Sequence, residues 1–230
     1  YCMRNASPLV ASHTEDGSFI ASDMVALLKY TKDYFVVPEE HIVVMKADSI
    51  TLYTMDGTVV EPKMLHVDWD TTAAQKGGYD FFMQKEIYDQ PEALHNTIMP
   101  RIHNGHADFS ADNISDDIFK GVNRVIVTAC GTAWHAGLIG RHLIEAMIRI
   151  PVTVELASEF RYMNPILDEH TLVVVITQSG ETADSLAALR LANERGAKTI
   201  SIVNVKGSSI ARESDYVLYT HAGPEIAVAS

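Results

Sequence analysis

The sequence predicts an α/β fold: a doubly wound parallel sheet, preceded by a mostly antiparallel β segment. Three observations predict it. Leu172-Val173-Val174-Val175-Ile176 is an unbroken apolar run rich in β-branched residues, as expected of a central parallel strand covered on both faces. From Val122 onward, strand and helix patterns alternate, the signature of parallel strands joined by helical crossovers. Before that, residues 7–67 carry short strand patterns and a hairpin signal, with almost no helix.

Taken in order, Ser18-Phe19-Ile20-Ala21 reads as a short strand. Ser22 or Asp23 can then cap a small helix through Met24-Val25-Ala26-Leu27-Leu28, by accepting a free backbone N–H. Tyr34-Phe35-Val36-Val37 and His41-Ile42-Val43-Val44-Met45 are strand-like and separated by Pro38. Ile50-Thr51-Leu52-Tyr53 and Thr58-Val59-Val60 flank Asp56-Gly57, a hairpin turn. Residues 68–79, ending in Lys76-Gly77-Gly78, read as an interdomain linker. A helix through Met83-Gln84-Lys85-Glu86-Ile87 is expected to end near Pro91, with a second helix over 92–101 and a polar loop over 104–117. Val125-Ile126-Val127 is a buried strand, and a helix over 135–149 carries Leu138, Ile139, Leu143, Ala146 and Met147 at three- and four-residue steps. Val152-Thr153-Val154-Glu155-Leu156 is the next strand. After the central run, a helix over 184–195 closes at Gly196. Strand Thr199-Ile200-Ser201-Ile202-Val203, a short helix over 208–214 and strand Tyr216-Val217-Leu218-Tyr219 complete the pattern.

Composition excludes several function classes. A chain of 230 residues, 47% apolar and 21% charged, can bury one large core or two modest ones. A formal net charge of -12 argues against a nucleic-acid partner, since phosphate backbones need clustered Lys and Arg. There is no long apolar run to span a membrane, and the first residues lack the apolar core of a signal peptide. Cys2 and Cys130 are far apart and form no CxxC, so no disulfide framework is expected and a reducing, cytoplasmic setting fits. His103 and His106 lie in a polar stretch without a matching carboxylate cluster, so neither a metal nor any other cofactor is expected. His135 and His142 are read as surface or interface residues of the helix over 135–149.

The most informative stretch is Thr177-Gln178-Ser179-Gly180-Glu181-Thr182, where the central strand gives way to a helix. Ligands of open α/β sheets bind at the carboxyl ends of strands, and a helix N-terminus favours an anion. Thr177, Ser179 and Thr182 offer hydroxyls and Gln178 an amide, while Gly180 lets the backbone approach a ligand. Helix capping alone accounts for one hydroxyl, not three and an amide. Several neutral donors without the Lys of a GxxxxGK[ST] loop suit a phosphate monoester and not a triphosphate. Thr128-Ala129-Cys130-Gly131-Thr132-Ala133 is a second strand-to-helix corner, either a plain turn or, if its strand neighbours the first, a place from which Thr132 reaches the sugar. Cys130 reads as a small buried residue and not as a nucleophile. Glu181, in the first helical turn, reads as structural.

Ala129-Cys130-Gly131-Thr132, Gln178-Ser179-Gly180-Glu181-Thr182-Ala183-Asp184, Gly207-Ser208-Ser209 and Glu225-Ile226-Ala227-Val228-Ala229-Ser230 together resemble the glutamine–fructose-6-phosphate aminotransferase (isomerizing) family, the glucosamine-6-phosphate synthases. Met83-Gln84-Lys85-Glu86-Ile87 resembles the opening of that family's isomerase half, and Ser7-Pro8-Leu9-Val10 with Ala21-Ser22-Asp23 the last part of its glutaminase half. The resemblance implies residues 1–67 as the end of a glutaminase domain and 80–230 as the isomerase half with most of a first sugar-isomerase (SIS) domain of flavodoxin-like type. It implies fructose 6-phosphate and glucosamine 6-phosphate as ligands, bound by Thr177, Gln178, Ser179 and Thr182 at the phosphate, with Thr132 and Ala133 at the sugar. Val228 and Ser230 line the same site, and Glu225 stands near it.

In the family a Ser usually follows the Thr of Cys-Gly-Thr; here it is Ala133, so only a backbone contact carries over. The family's N-terminal Cys nucleophile and its catalytic Glu, His and Lys have no counterparts in this sequence, and Cys2 is no stand-in. The chain is therefore read as an internal fragment that holds sugar phosphate weakly, has no catalytic residue of its own, meets glutamine only through residues outside it, exposes some apolar surface and pairs as a homodimer. A non-catalytic SIS-domain sensor is the alternative, disfavoured because such sensors follow a DNA-binding helix-turn-helix. A stand-alone isomerase would have no reason to carry residues 7–67.

Overall fold

The computed structural model describes residues 1–5, 8–68 and 76–227, which fall into two compact units, Tyr1–Lys85 and Glu86–Ser230. The first unit holds β1 (Cys2–Arg4), β2 (Val10–Thr14), β3 (Gly17–Ala21), β4 (Asp33–Val36), β5 (His41–Met45), β6 (Ile50–Thr54), β7 (Val59–Val60) and β8 (Met64–His66). They form two antiparallel sheets in the orders β1-β5-β6-β7 and β3-β2-β4-β8. Alternation along the strands explains the layering. Ala11 and Phe35 pack with Val43 and Leu52 of the other sheet, while their chain neighbours Val10 and Tyr34 turn to the opposite face and meet Met24, Leu27 and Leu28. Met24 and Leu27 lie in a 3₁₀ turn closed by Leu28 and capped by Asp23, which accepts from the Val25 N–H at 2.7 Å. The hairpin at Asp56-Gly57 forms between β6 and β7, with Gly57 at φ +87° and Asp56 accepting from the Thr58 N–H.

The second unit contains most of α1 (Phe82–Ile98), then β9 (Ile102–His103), β10 (His106–Ala107), β11 (Arg124–Ala129), α2 (Gly131–Ile148), β12 (Val152–Leu156), α3 (Ala157–Phe160), β13 (Thr171–Thr177), α4 (Ala183–Glu194), β14 (Lys198–Val203), α5 (Ser209–Glu213) and β15 (Tyr216–Tyr219). The five long strands form the expected parallel sheet, in the order β12-β11-β13-β14-β15. One face carries α3, α4 and α5 over Ile126, Val173 and Val175; the other carries Ile144 of α2 with Ile114 and Ile118 over Val125, Val127 and Leu172. Among the described residues, no helix is long and apolar enough to cross a membrane.

Two expectations need correction. Pro91 does not end a helix: α1 runs through it as one element. The proline removes one backbone donor from the helix, and the turns on either side of it are tied to residues 221–227: Glu86 accepts from the N–H groups of Ile226 and Ala227, and Thr97 from that of His221. Residues 104–117 are not featureless; Asn104-Gly105, both at positive φ, turn the small β9–β10 hairpin, whose two-residue strands are too short to show a period. Of the apolar residues spaced along α2, Ile139 is 66%, Leu143 58% and Met147 79% exposed, while Leu138 is half-buried. The sheet-facing side is set by Gly137, where a Cβ would lie 2.9 Å from Val127 Cγ1 and 3.0 Å from Val154 Cγ1. Of the 68–79 stretch, residues 69–75 lie outside the described residues.

Candidate functional site

Numbered from β11, the strand order is 2-1-3-4-5, which reverses direction between β11 and β13. The crossover through α2 leaves on one face and that through α4 on the other, so a crevice opens at the carboxyl ends of these two strands. Their register pairs Ala129 with Ile176, so both strand-to-helix corners predicted as functional emerge side by side. Gly131, at φ +56°, turns the first corner; Thr132 stands exposed in the opening turn of α2, with Ala133 half-buried behind it.

The second corner has a defined internal geometry. Thr177, 7% exposed at the end of β13, accepts from the Gly180 N–H at 3.2 Å through Oγ1. Ser179 Oγ accepts from the Glu181 N–H, also at 3.2 Å. A hydroxyl that accepts a backbone bond keeps its own hydrogen for donation. Thr182 is the N-cap of α4, yet its side chain makes no cap bond. The first intrahelical bond of α4 runs from the Leu186 N–H to the Thr182 carbonyl, so the amides of the opening turn have no helical acceptor. These are donors suited to an anion at a positive helix end.

Carbonyls would repel an anion, and two in this loop are engaged elsewhere. The Gln178 carbonyl accepts from the N–H groups of Asn204 and Val205, at 3.1 and 3.3 Å, and the Gly180 carbonyl accepts from that of Ile210 at 3.0 Å. The Glu181 carboxylate accepts from the Ser209 N–H at 2.7 Å, so this side chain caps α5 instead of serving its own helix. Gly180 has a structural reason as well. A Cβ there would sit 2.0 Å from Ser208 Oγ and 2.8 Å from Val203 Cγ2, and φ is +67°. Packing against Ser208 and a left-handed backbone require the glycine. Ser208 itself is 3% exposed, and its Oγ has no hydrogen-bond partner among the described residues.

Gln178 lines a hollow of about 230 Å³ with Glu86, Asp89 and Gln90 of α1, Gly223 and Glu225. Cys130 is half-buried beside α4 and receives a long contact, 3.8 Å, from the Ser185 hydroxyl to its sulfur. Val228 and Ser230 lie outside the described residues. His103 and His106 face each other across β9–β10, and among the described residues no group of three or more His, Cys, Asp or Glu gathers to hold a metal. Sequence reading did not mark Asn204 or Glu86. Asn204 directly follows a strand at its carboxyl end, a signal that was present; the role of Glu86 depends on segments 140 residues apart and left none.

Known proteins resemble this chain in sequence and in fold. Residues 118–230 match the SIS domain family. Glutamine–fructose-6-phosphate aminotransferase (isomerizing) of Clostridium tetani is 50% identical over 230 residues, covering 99% of this chain, and that of Streptomyces coelicolor is 50% identical over 229 residues. The chain spans 38% and 37% of the lengths of these two relatives. Among solved structures, the C-terminal domain of glucosamine-fructose-6-phosphate aminotransferase from Francisella tularensis aligns with a TM-score of 0.64 at 40% identity, over 68% of this chain and 44% of that one. Tagatose-6-phosphate ketose/aldose isomerase from Escherichia coli shares the fold, with a TM-score of 0.53 at 19% identity over 62% of this chain and 41% of that one. With a collinear match along almost its whole length, and a parallel sheet of the same architecture, the chain belongs to the glutamine–fructose-6-phosphate aminotransferase (isomerizing) family and carries an SIS domain.

Proposed function

We propose that this chain is the sugar-phosphate-binding part of an enzyme that converts fructose 6-phosphate and glutamine to glucosamine 6-phosphate and glutamate. Thr177, Gln178, Ser179 and Thr182 hold the phosphate, the Thr132 hydroxyl and the Ala133 backbone meet the sugar, and Val228 and Ser230 complete the lining. Residues 1–67 are the end of a glutaminase domain, 68–79 a linker and 80–230 the isomerase half. The single observation that carries this reading is the pair of hydroxyls, Thr177 and Ser179, that accept loop amides and so keep their own hydrogens for an anion. Homodimer formation is supported by the exposed α2 stripe of Ile139, Leu143 and Met147, an apolar row that water alone covers poorly. A cytoplasmic setting is supported by two free cysteines and the acidic surface.

Calorimetric titration with fructose 6-phosphate tests the assignment. Ser179→Ala removes a donor to a charged group and is expected to weaken binding by about 1–3 kcal/mol. Unchanged affinity would move the phosphate elsewhere.

A further inference from the structure

We propose that Asn204 is a positioning residue that ties the phosphate loop to residues 220–227 and thereby sets the wall against which the sugar lies. The proposal rests on the reading of residues 177–182 as the phosphate loop. Asn204 is 6% exposed and follows β14 at its carboxyl end. Its backbone N–H donates to the Gln178 carbonyl at 3.1 Å. Its side chain faces the other way. Oδ1 accepts from the Ala222 N–H at 3.0 Å and from the Thr220 hydroxyl at 3.1 Å, and Nδ2 donates to the Gly223 carbonyl at 2.6 Å. An amide in the reversed orientation would set its NH₂ against the Ala222 N–H, so the bond pattern fixes the side chain. One residue thus grips the loop with its main chain and the neighbouring segment with its side chain.

That segment has a second post. Glu86 Oε1 accepts from the N–H groups of Ile226 and Ala227 at 2.8 and 3.0 Å. Between the two posts, Gly223 and Glu225 form one side of the hollow that Gln178 enters, and Glu86, Asp89 and Gln90 form the other. Its carboxylates and amides are acceptors for the hydroxyls of a polyol, while the phosphate donors lie in the loop. A ligand anchored by its phosphate at residues 177–182 would extend its neutral part into this hollow, so the position of the wall governs sugar binding more than phosphate binding.

Two probes separate the parts: inorganic phosphate, which reads the loop alone, and fructose 6-phosphate, which reads loop and wall. Each is titrated into the chain and into Asn204→Ala, Glu86→Ala and Glu86→Gln, with circular dichroism as the folding control. Both alanine variants are expected to lose at least tenfold in affinity for fructose 6-phosphate and less than twofold for inorganic phosphate. Glu86→Gln keeps the Oε1 acceptor and should stay within about threefold of the parent chain for both ligands. Should Asn204→Ala fail to fold, the Glu86 pair decides. Equal losses for the two ligands would reduce these residues to support of the loop, and undiminished sugar-phosphate binding would remove the wall; either result overturns the proposal. If the parent chain binds neither probe, the phosphate-loop reading fails first and takes the proposal with it.

Discussion

Gly180 shows how one atom constrains this site. Its backbone is left-handed and its α-carbon lies against Ser208, so Gly180→Ala combines a conformational cost with a steric clash. The left-handed conformation costs an L-residue about 1–2 kcal/mol and overpacking about 1–3 kcal/mol, so a loss of roughly 2–5 kcal/mol is expected in urea unfolding. Adding Ser208→Gly should recover part of the steric share and none of the conformational share, because Val203 Cγ2 and φ remain. A double variant no more stable than Gly180→Ala alone would show that the clash is absorbed elsewhere. The sequence marks this glycine as special, but assigns it to ligand approach; only packing reveals that the neighbour is Ser208.

At the scale of elements, the sheet ends are held by different chemistry. At the amino ends of β11 and β13, opposite the candidate site, Asp168 accepts from the Thr171 hydroxyl at 2.7 Å and the His170 N–H at 3.1 Å, with Arg124 at 3.8 Å. The Thr171 hydroxyl, then the His170 amide and the Arg124 charge, hold the Asp168 carboxyl below its ordinary value of 3.8. A carboxyl depressed in the folded state binds a proton less readily than in the unfolded chain. Its stabilisation is therefore present above pH 3.8 and is lost as pH falls through the lower folded value. Asp168→Asn should flatten that part of the acid-unfolding curve and leave the neutral-pH dependence unchanged. An unaltered acid slope would mean that other carboxylates carry the transition. The helices teach a related lesson. Periodicity located α2, but its close seat on Val127 and Val154 depends on Gly137, and a glycine adds nothing to a hydrophobic count.

For the molecule as a whole, the two units have separate cores. Phe35 is 2% exposed within the core of Tyr1–Lys85, clustered with Val43 and Leu52. Phe35→Ala is expected to cost about 3–5 kcal/mol in the unfolding of that unit, through lost burial and the cavity left behind. Phosphate affinity, measured below the onset of unfolding, should stay within error of the parent chain, since residues 177–182 belong to the other unit. A parallel fall in affinity would show that the units are energetically coupled.

Local chemistry determined much of this protein. The β-branched run Leu172-Val173-Val174-Val175-Ile176, the alternation of strands with helices, and the hydroxyls at 177, 179 and 182 identify a parallel sheet with a donor-rich loop at one strand end, because period and donor count are properties of neighbouring residues. Only the tertiary structure decided which strands lie together, and so that the β11 and β13 corners share the crevice. It also carried α1 through Pro91, left Ile139, Leu143 and Met147 of α2 exposed, and brought Asn204 and Glu86 to residues 220–227. Those outcomes depend on bonds and close contacts between residues far apart in the chain, which no local pattern encodes.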